Sequence, residues 1–141
     1  MDDTGATDPS GAFLSAVADF GGERRESVIL AAPDAERLGA TLHLPVERPE
    51  GAGTQCVVLL LPGWSGPRTG PAELLVFLAR SLTSAGHAVM RLDFHGRGDS
   101  SGLFGDCDLD RMIEDAGIGS DYLLSRLPGR RMAVGGICSV A

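Results

Sequence analysis

Blocks of apolar residues alternate with polar, Gly-rich connections along this chain, and the spacing inside each block predicts its element. Residues 56–63, CVVLLLPG, form a continuous apolar run, as expected of a central strand buried on both faces. A helix is predicted over 71–85. Leu74, Leu75, Leu78, Ala79 and Leu82 make one apolar stripe, Pro71 suits the first helical position and Gly86 the C-terminal cap. HAVMRLDF, 87–94, reads as the next strand, and HGRGDSSGLFGD as a Gly-rich loop. A second helix is predicted over about 108–127, with Leu109, Met112, Ile113, Ala116, Leu123, Leu124 and Leu127 on one side. Gly117 and Gly119 weaken it by about 1 kcal/mol each relative to Ala. RRMAVGG, 130–136, is a further strand. Upstream, ESVILAA (26–32) and RLGATLHLP (37–45) read as an antiparallel pair of strands around the turn APDAE, with Pro45 ending the second.

Residues 1–22 read as an acidic N-terminal tail. Within it Phe13, Leu14, Val17 and Phe20 stand at helical spacing behind Ser10, either as a short helix resting on the domain or as part of a mobile arm. Residues 23–141 then form one domain with the order β-β-β-α-β-α-β. Strands alternating with helices predict a three-layer αβα fold whose sheet is mostly parallel, with right-handed crossovers.

Composition narrows the function classes. The net charge of −7 argues against a nucleic-acid or acidic-membrane partner. All twelve Lys-or-Arg positions are Arg, and Lys and Asn are absent, a bias of a GC-rich genome rather than a phosphate site. No apolar run approaches the ~20 residues of a transmembrane helix. The opening MDDTGATDPSG is acidic where a secretory signal is basic, so a cytoplasmic location is expected. Cys56, Cys107 and Cys138 are odd in number and widely spaced, which suggests neither a disulfide framework nor a zinc site. No metal or cofactor is called for by any motif.

Three strand ends carry candidate chemistry, because ligands of open α/β sheets bind at the carboxyl ends of the strands. The last is VGGICSVA, 134–141. A nucleophile elbow reads small-x-nucleophile-x-small, since the turn leaves no room for bulky neighbours. With Cys138 as nucleophile, Gly136 fits two residues before and Val140 does not fit two residues after. With Ser139, Ala141 fits after and Ile137 does not fit before. The Gly requirement and the distance from the strand favour Cys138; the bland reading is a buried strand end with Cys138 a small hydrophobe. LPGWSG, 61–66, is a Gly-rich turn that can aim the Trp64 N–H at a developing oxyanion, with the Ser139 N–H as second donor and Gly63 at the rim; the bland reading is an ordinary β-to-α turn. In the third, GRGDSSG, Gly96, Gly98 and Gly102 miss the G-x-G-x-x-G dinucleotide fingerprint by one residue, and Arg97-Gly98-Asp99 is a chance match to an integrin motif. Asp99 and the serines are expected to close Asx and Ser turns there. Of His43, His87 and His95, only His95 stands at a carboxyl strand end. It is read as a solvated residue at the rim, poorly placed to act as general base.

Together these segments resemble the N-terminal half of an α/β-hydrolase, from about Glu26 onward. VVLLLPGWSG resembles that fold's third strand and oxyanion turn, with Pro62 where many members carry His. GHAVMRLDFHGRGDSSG is very similar to its fourth strand and following loop, and VGGICSVA resembles the fifth strand and elbow. GPRTGPAELLVFLARSL, with a Cys in the elbow, is closest to bacterial serine-aminopeptidase-like and exosortase-associated hydrolases. The resemblance implies a partial α/β-hydrolase fold with strand order 1-2-4-3-5, counting from the strand at 26–32. It also implies hydrolysis of an ester, amide or thioester, a small-molecule acyl substrate, and an acid and a histidine placed after the elbow. The chain ends before those positions, so an incomplete domain is expected, with its fifth strand an open edge. A second function class follows from that edge: a non-catalytic hydrolase remnant that pairs with a protein partner there. A nucleotide-binding α/β domain is disfavoured by the failed fingerprint.

Overall fold

The computed structural model describes residues 12–137. They build one mixed sheet of six strands with a helix on each face. The strands are β1 (Phe13–Asp19), β2 (Glu23–Ala31), β3 (Arg37–Pro45), β4 (Cys56–Leu61), β5 (Ala88–Leu92) and β6 (Arg131–Gly136). The helices are α1 (Leu74–Ser84) and α2 (Leu109–Arg126). The sheet order is β1-β2-β3-β5-β4-β6. It contains the expected five-strand order with one more strand at its edge.

That extra strand corrects the helix expected near the N-terminus. Gly21 and Gly22, both at positive φ, close a two-residue hairpin through Phe20 N–Glu23 O and Glu23 N–Phe20 O bonds of 2.7 and 3.3 Å. Residues 13–19 therefore fold back along β2 and satisfy backbone groups that would otherwise line an open edge. A second correction concerns direction. β1–β2, β2–β3 and β3–β5 are antiparallel, and only β5–β4 and β4–β6 are parallel, so the sheet is mixed rather than mostly parallel.

β4 lies between β5 and β6, as its unbroken apolar run predicts, and alternate residues serve opposite faces. Val58 and Leu60 join Val89 under Leu75 and Ala79 of α1. Leu59 joins Leu38, Leu42, Met90 and Leu92 under Tyr122 and Leu123 of α2.

Both helices bury a narrower face than hydrophobicity alone predicts. In α1, Leu75, Ala79 and Thr83 are buried, while Leu74 and Leu78 stand exposed. The helix also begins later: Pro71 opens a separate single turn, and Ala72 and Glu73 take left-handed backbone conformations before Leu74. In α2 the buried face is Asp115, Gly119, Tyr122 and Leu123, whereas Leu109, Ile113 and Leu124 point outward. Gly119 sets the approach: a Cβ there would lie 3.2 Å from side-chain atoms of Leu92 and Met90. No described helix is long and apolar enough to cross a membrane.

Candidate active site

Because β5, β4 and β6 run parallel, the carboxyl ends at Leu92, Leu61 and Gly136 open onto one rim. The turn of Gly63 and Trp64 follows β4 and the loop of His95 and Gly96 follows β5. β6 keeps company with β4 to its end, where Ile137 N donates to Leu61 O at 3.3 Å. Cys138 and Ser139, the expected nucleophile and its alternative, lie outside the described residues.

Asp93, the first residue after β5, organises the rim. It is fully buried and accepts from Arg68 N at 2.5 Å, from the Arg68 guanidinium and from Asp99 N at 3.0 Å. Its own carbonyl accepts from Ser100 Oγ at 2.7 Å. Arg68, in the loop after Trp64, also donates from Nε to Thr41 Oγ1 at 2.9 Å and pairs with Asp99 at 2.7 Å. Burial works against the Arg68 charge, but Asp93 and Asp99 outweigh it and hold its pKa above the ordinary value. One carboxylate thus ties the loop after β4 to the loop after β5. Gly98 makes room for it: a Cβ there would stand 2.2 Å from Asp93 Oδ2.

The serines and Asp99 do not close turns on themselves as expected. Ser100 Oγ accepts from Gly39 N at 2.9 Å, and Ser101 Oγ accepts from Arg37 N at 2.7 Å, so both pin the loop to β3.

His95 departs from its expected solvated setting. It is 5% exposed, and its ring fills the space where a Cβ on Gly102 would sit, 2.0 Å away. Its backbone N donates to Asp115 Oδ2 of α2 at 2.7 Å, and Arg111 Nε holds the other oxygen at 3.0 Å. Among the described residues the imidazole Nδ1 has no hydrogen-bond partner. A ring so enclosed is a packing element of the loop rather than a mobile base.

Trp64 is half exposed, at 46%, and its two peptide planes are both fixed. Gly63 O accepts from Gly66 N at 3.3 Å, and Trp64 O accepts from Arg97 Nε. Among the described residues the Trp64 N–H meets no acceptor. A free amide at the end of the central strand is what stabilising an oxyanion requires.

A second polar cluster lies under α1, away from the rim. His43, fully buried, donates from Nδ1 to Glu23 Oε1 at 2.9 Å and accepts at Nε2 from Arg91 Nε at 3.0 Å. Burial, aided by the Arg91 charge, pushes the His43 pKa down to about 4, so the ring is neutral in this tautomer. Burial pushes Glu23 up, but the bonds from Arg25 and His43 prevail and hold it below the ordinary carboxylate value. Arg91 Nη1 reaches Arg68 O at 3.2 Å, which joins this cluster to the rim. Two cavities lie elsewhere: about 520 Å³ between Arg24, Leu44 and Val46, and about 310 Å³ between β2 and α2.

The structure therefore brings Gly63, Trp64, His95 and Gly96 together. Asp93, Arg68, Arg97 and Asp115 went unrecognised as site residues in the sequence. A signal for Asp93 was available: a carboxylate ending a strand that is apolar but for Arg91, followed closely by Gly96 and Gly98. Arg68, Arg97 and Asp115 carry no such mark, because their partners are remote in sequence.

No protein-family model matches the chain, and no curated protein matches it. Solved structures do. Est1E from Butyrivibrio proteoclasticus, solved with ferulic acid bound, is 24% identical with a TM-score of 0.63, over 76% of this chain and 41% of that one. A cold-adapted esterase from an Arctic intertidal metagenomic library is 17% identical with a TM-score of 0.66, over 86% and 53%. The α/β hydrolase GrgF from Penicillium sp. is 20% identical with a TM-score of 0.67, over 81% and 37%. The described residues share the fold of these esterases and α/β hydrolases. The chain spans about half the length, or less, of these solved chains.

Proposed function

We propose that this chain supplies the nucleophile and the oxyanion donors of a hydrolase acting on an ester, amide or thioester. The observation that carries this reading is the free Trp64 N–H in the turn after β4, the strand paired with β6, whose end runs on in sequence to Cys138. Cys138 attacks the acyl carbon as a thiolate, with Ser139 the alternative register. The N–H groups of Trp64 and Ser139 receive the charge on the carbonyl oxygen. The oxyanion then collapses, breaking the bond to the leaving group: an alkoxide or thiolate departs as the anion, an amine only after its nitrogen takes a proton from solvent, and a thioester to Cys138 remains.

Hydrolysis of that thioester needs a general base. The three histidines all precede the elbow, and His43 and His95 are enclosed by their neighbours. A free thiol with pKa near 8.5 is only a few per cent thiolate at neutral pH. We therefore expect the 141-residue chain to acylate once on 4-nitrophenyl acetate, without sustained turnover. Mass spectrometry should place the acetyl group on Cys138, with loss in Cys138→Ala and retention in Ser139→Ala. Acetyl on Ser139 would reverse the register. Acetyl spread evenly over Cys56 and Cys107, or none at all, would favour the non-catalytic reading, in which the outer edge of β6 takes a partner strand.

A further inference from the structure

We infer that Arg97 is a positioning residue that presets the Trp64 peptide as an oxyanion donor; the use of that donor rests on the function proposed above. Arg97 belongs to the loop after β5, yet its main contact is the turn after β4. It is 5% exposed. Nε donates to Trp64 O, and Nη1 donates to His95 O at 2.8 Å. The guanidinium carbon lies 4.5 Å from the Phe104 ring centroid and 5.5 Å from that of Trp64.

The geometry of successive peptides explains the consequence. The plane between Gly63 and Trp64 is trans, so its C=O and N–H point in opposite directions. Gly66 N holds the Gly63 oxygen on one side, which sends the Trp64 N–H to the other. The next plane carries the Trp64 oxygen, and only Arg97 Nε holds it among the described residues. Without that bond, rotation about the Trp64 φ and ψ would carry Gly66 N away from the Gly63 oxygen, and the N–H would lose its direction.

Stability alone does not account for this arginine. Its Nη2 is buried with no hydrogen-bond partner among the described residues, a costly state for a charged group. An apolar side chain of similar length would fill the same space without an orphaned donor. Departures of that kind concentrate where a structure serves function.

Trp64 is the single tryptophan of the chain, so its fluorescence reads this one turn. In Arg97→Met we expect a red-shifted emission and stronger acrylamide quenching, while circular dichroism stays that of the wild type. Arg97→Lys should restore neither, because an ammonium cannot bond Trp64 O and His95 O in the guanidinium's fork. Acylation of Cys138 by 4-nitrophenyl acetate should fall about tenfold to a hundredfold in Arg97→Met, as misplacing a catalytic group does. Alkylation of Cys138 by iodoacetamide, which develops no oxyanion, should keep its rate. Unchanged quenching in Arg97→Met overturns the inference, and so does a parallel fall of acylation and alkylation. If the wild type does not acylate at all, the proposed function fails and the fluorescence alone decides whether Arg97 fixes the turn. Should Arg97→Met not fold, Phe104→Leu removes one ring from the guanidinium and should raise quenching by a smaller step; no change there would also overturn the inference.

Discussion

At the scale of single residues, the loop after β5 is organised by what its glycines admit. Gly98 admits the Asp93 carboxylate and Gly102 admits the His95 ring, and both sit at positive φ. The Gly-rich loop that fails as a dinucleotide fingerprint is therefore a packing device around two buried polar side chains. Gly102→Ala must displace the imidazole and strain its own backbone. It should destabilise the chain by roughly 3 kcal/mol or more. Urea denaturation followed by circular dichroism checks this, and a loss under ~1 kcal/mol would mean the ring has room to move. The spacing of those glycines was legible in the sequence. The side chains they accommodate were less so: the place of Asp93 at a strand end was the one local hint, and nothing local says that His95 turns inward.

At the scale of elements, the helices show where periodicity misleads. The sequence places Leu109, Ile113 and Leu124 of α2 on the buried side, and all three are exposed. The face that meets the sheet carries Asp115 and Gly119, which score as polar and weak. Asp115 is buried because it holds His95 N and Arg111, and Gly119 because the helix lies close to Leu92 and Met90. The two glycines of α2 thus differ in kind. Gly119 touches the sheet, while Gly117 is exposed with nothing near its missing Cβ. Gly117→Ala should stabilise the chain by about 0.5–1 kcal/mol through helix propensity alone. A thermal melt that fails to rise would show that Gly117 has a contact the helix depends on.

For the whole molecule, the polar cluster under α1 ties stability to pH. Burial, then Arg91, lowers the folded-state pKa of His43 to about 4, against about 6.5 for an unfolded histidine. Between those values the unfolded chain binds the proton that the folded chain refuses. Stability therefore falls as pH drops through 6.5 toward 4, by an amount on the order of 3 kcal/mol if the full shift is expressed. Glu23, held below its ordinary value, adds to the loss under about pH 4.5. Urea midpoints from pH 7 to 4.5 should decline in the wild type and run flatter in His43→Gln. Equal slopes would place the titration elsewhere.

The sequence by itself determined the strands read at 26–32, 37–45, 56–63, 87–94 and 130–136, because apolar runs between Gly- and Pro-rich turns leave few other elements; their order followed from the resemblance to a known fold. It also determined that the turn at Gly63–Trp64 and the loop at His95–Gly96 share a rim, since each follows a parallel neighbour. Tertiary structure decided what lies between those points. It turned residues 13–19 into a strand, because β2 offered backbone partners that outweighed a helical spacing of four apolar residues. It buried the face of α2 that carries Asp115 and Gly119 beside Tyr122 and Leu123, because a small residue permits close approach and a buried carboxylate finds donors. It joined Arg68 to Asp93 and Arg97 to Trp64 across 25 and 33 positions of chain. Charge pairing over such separations depends on the closed sheet for its geometry, and no local pattern encodes it.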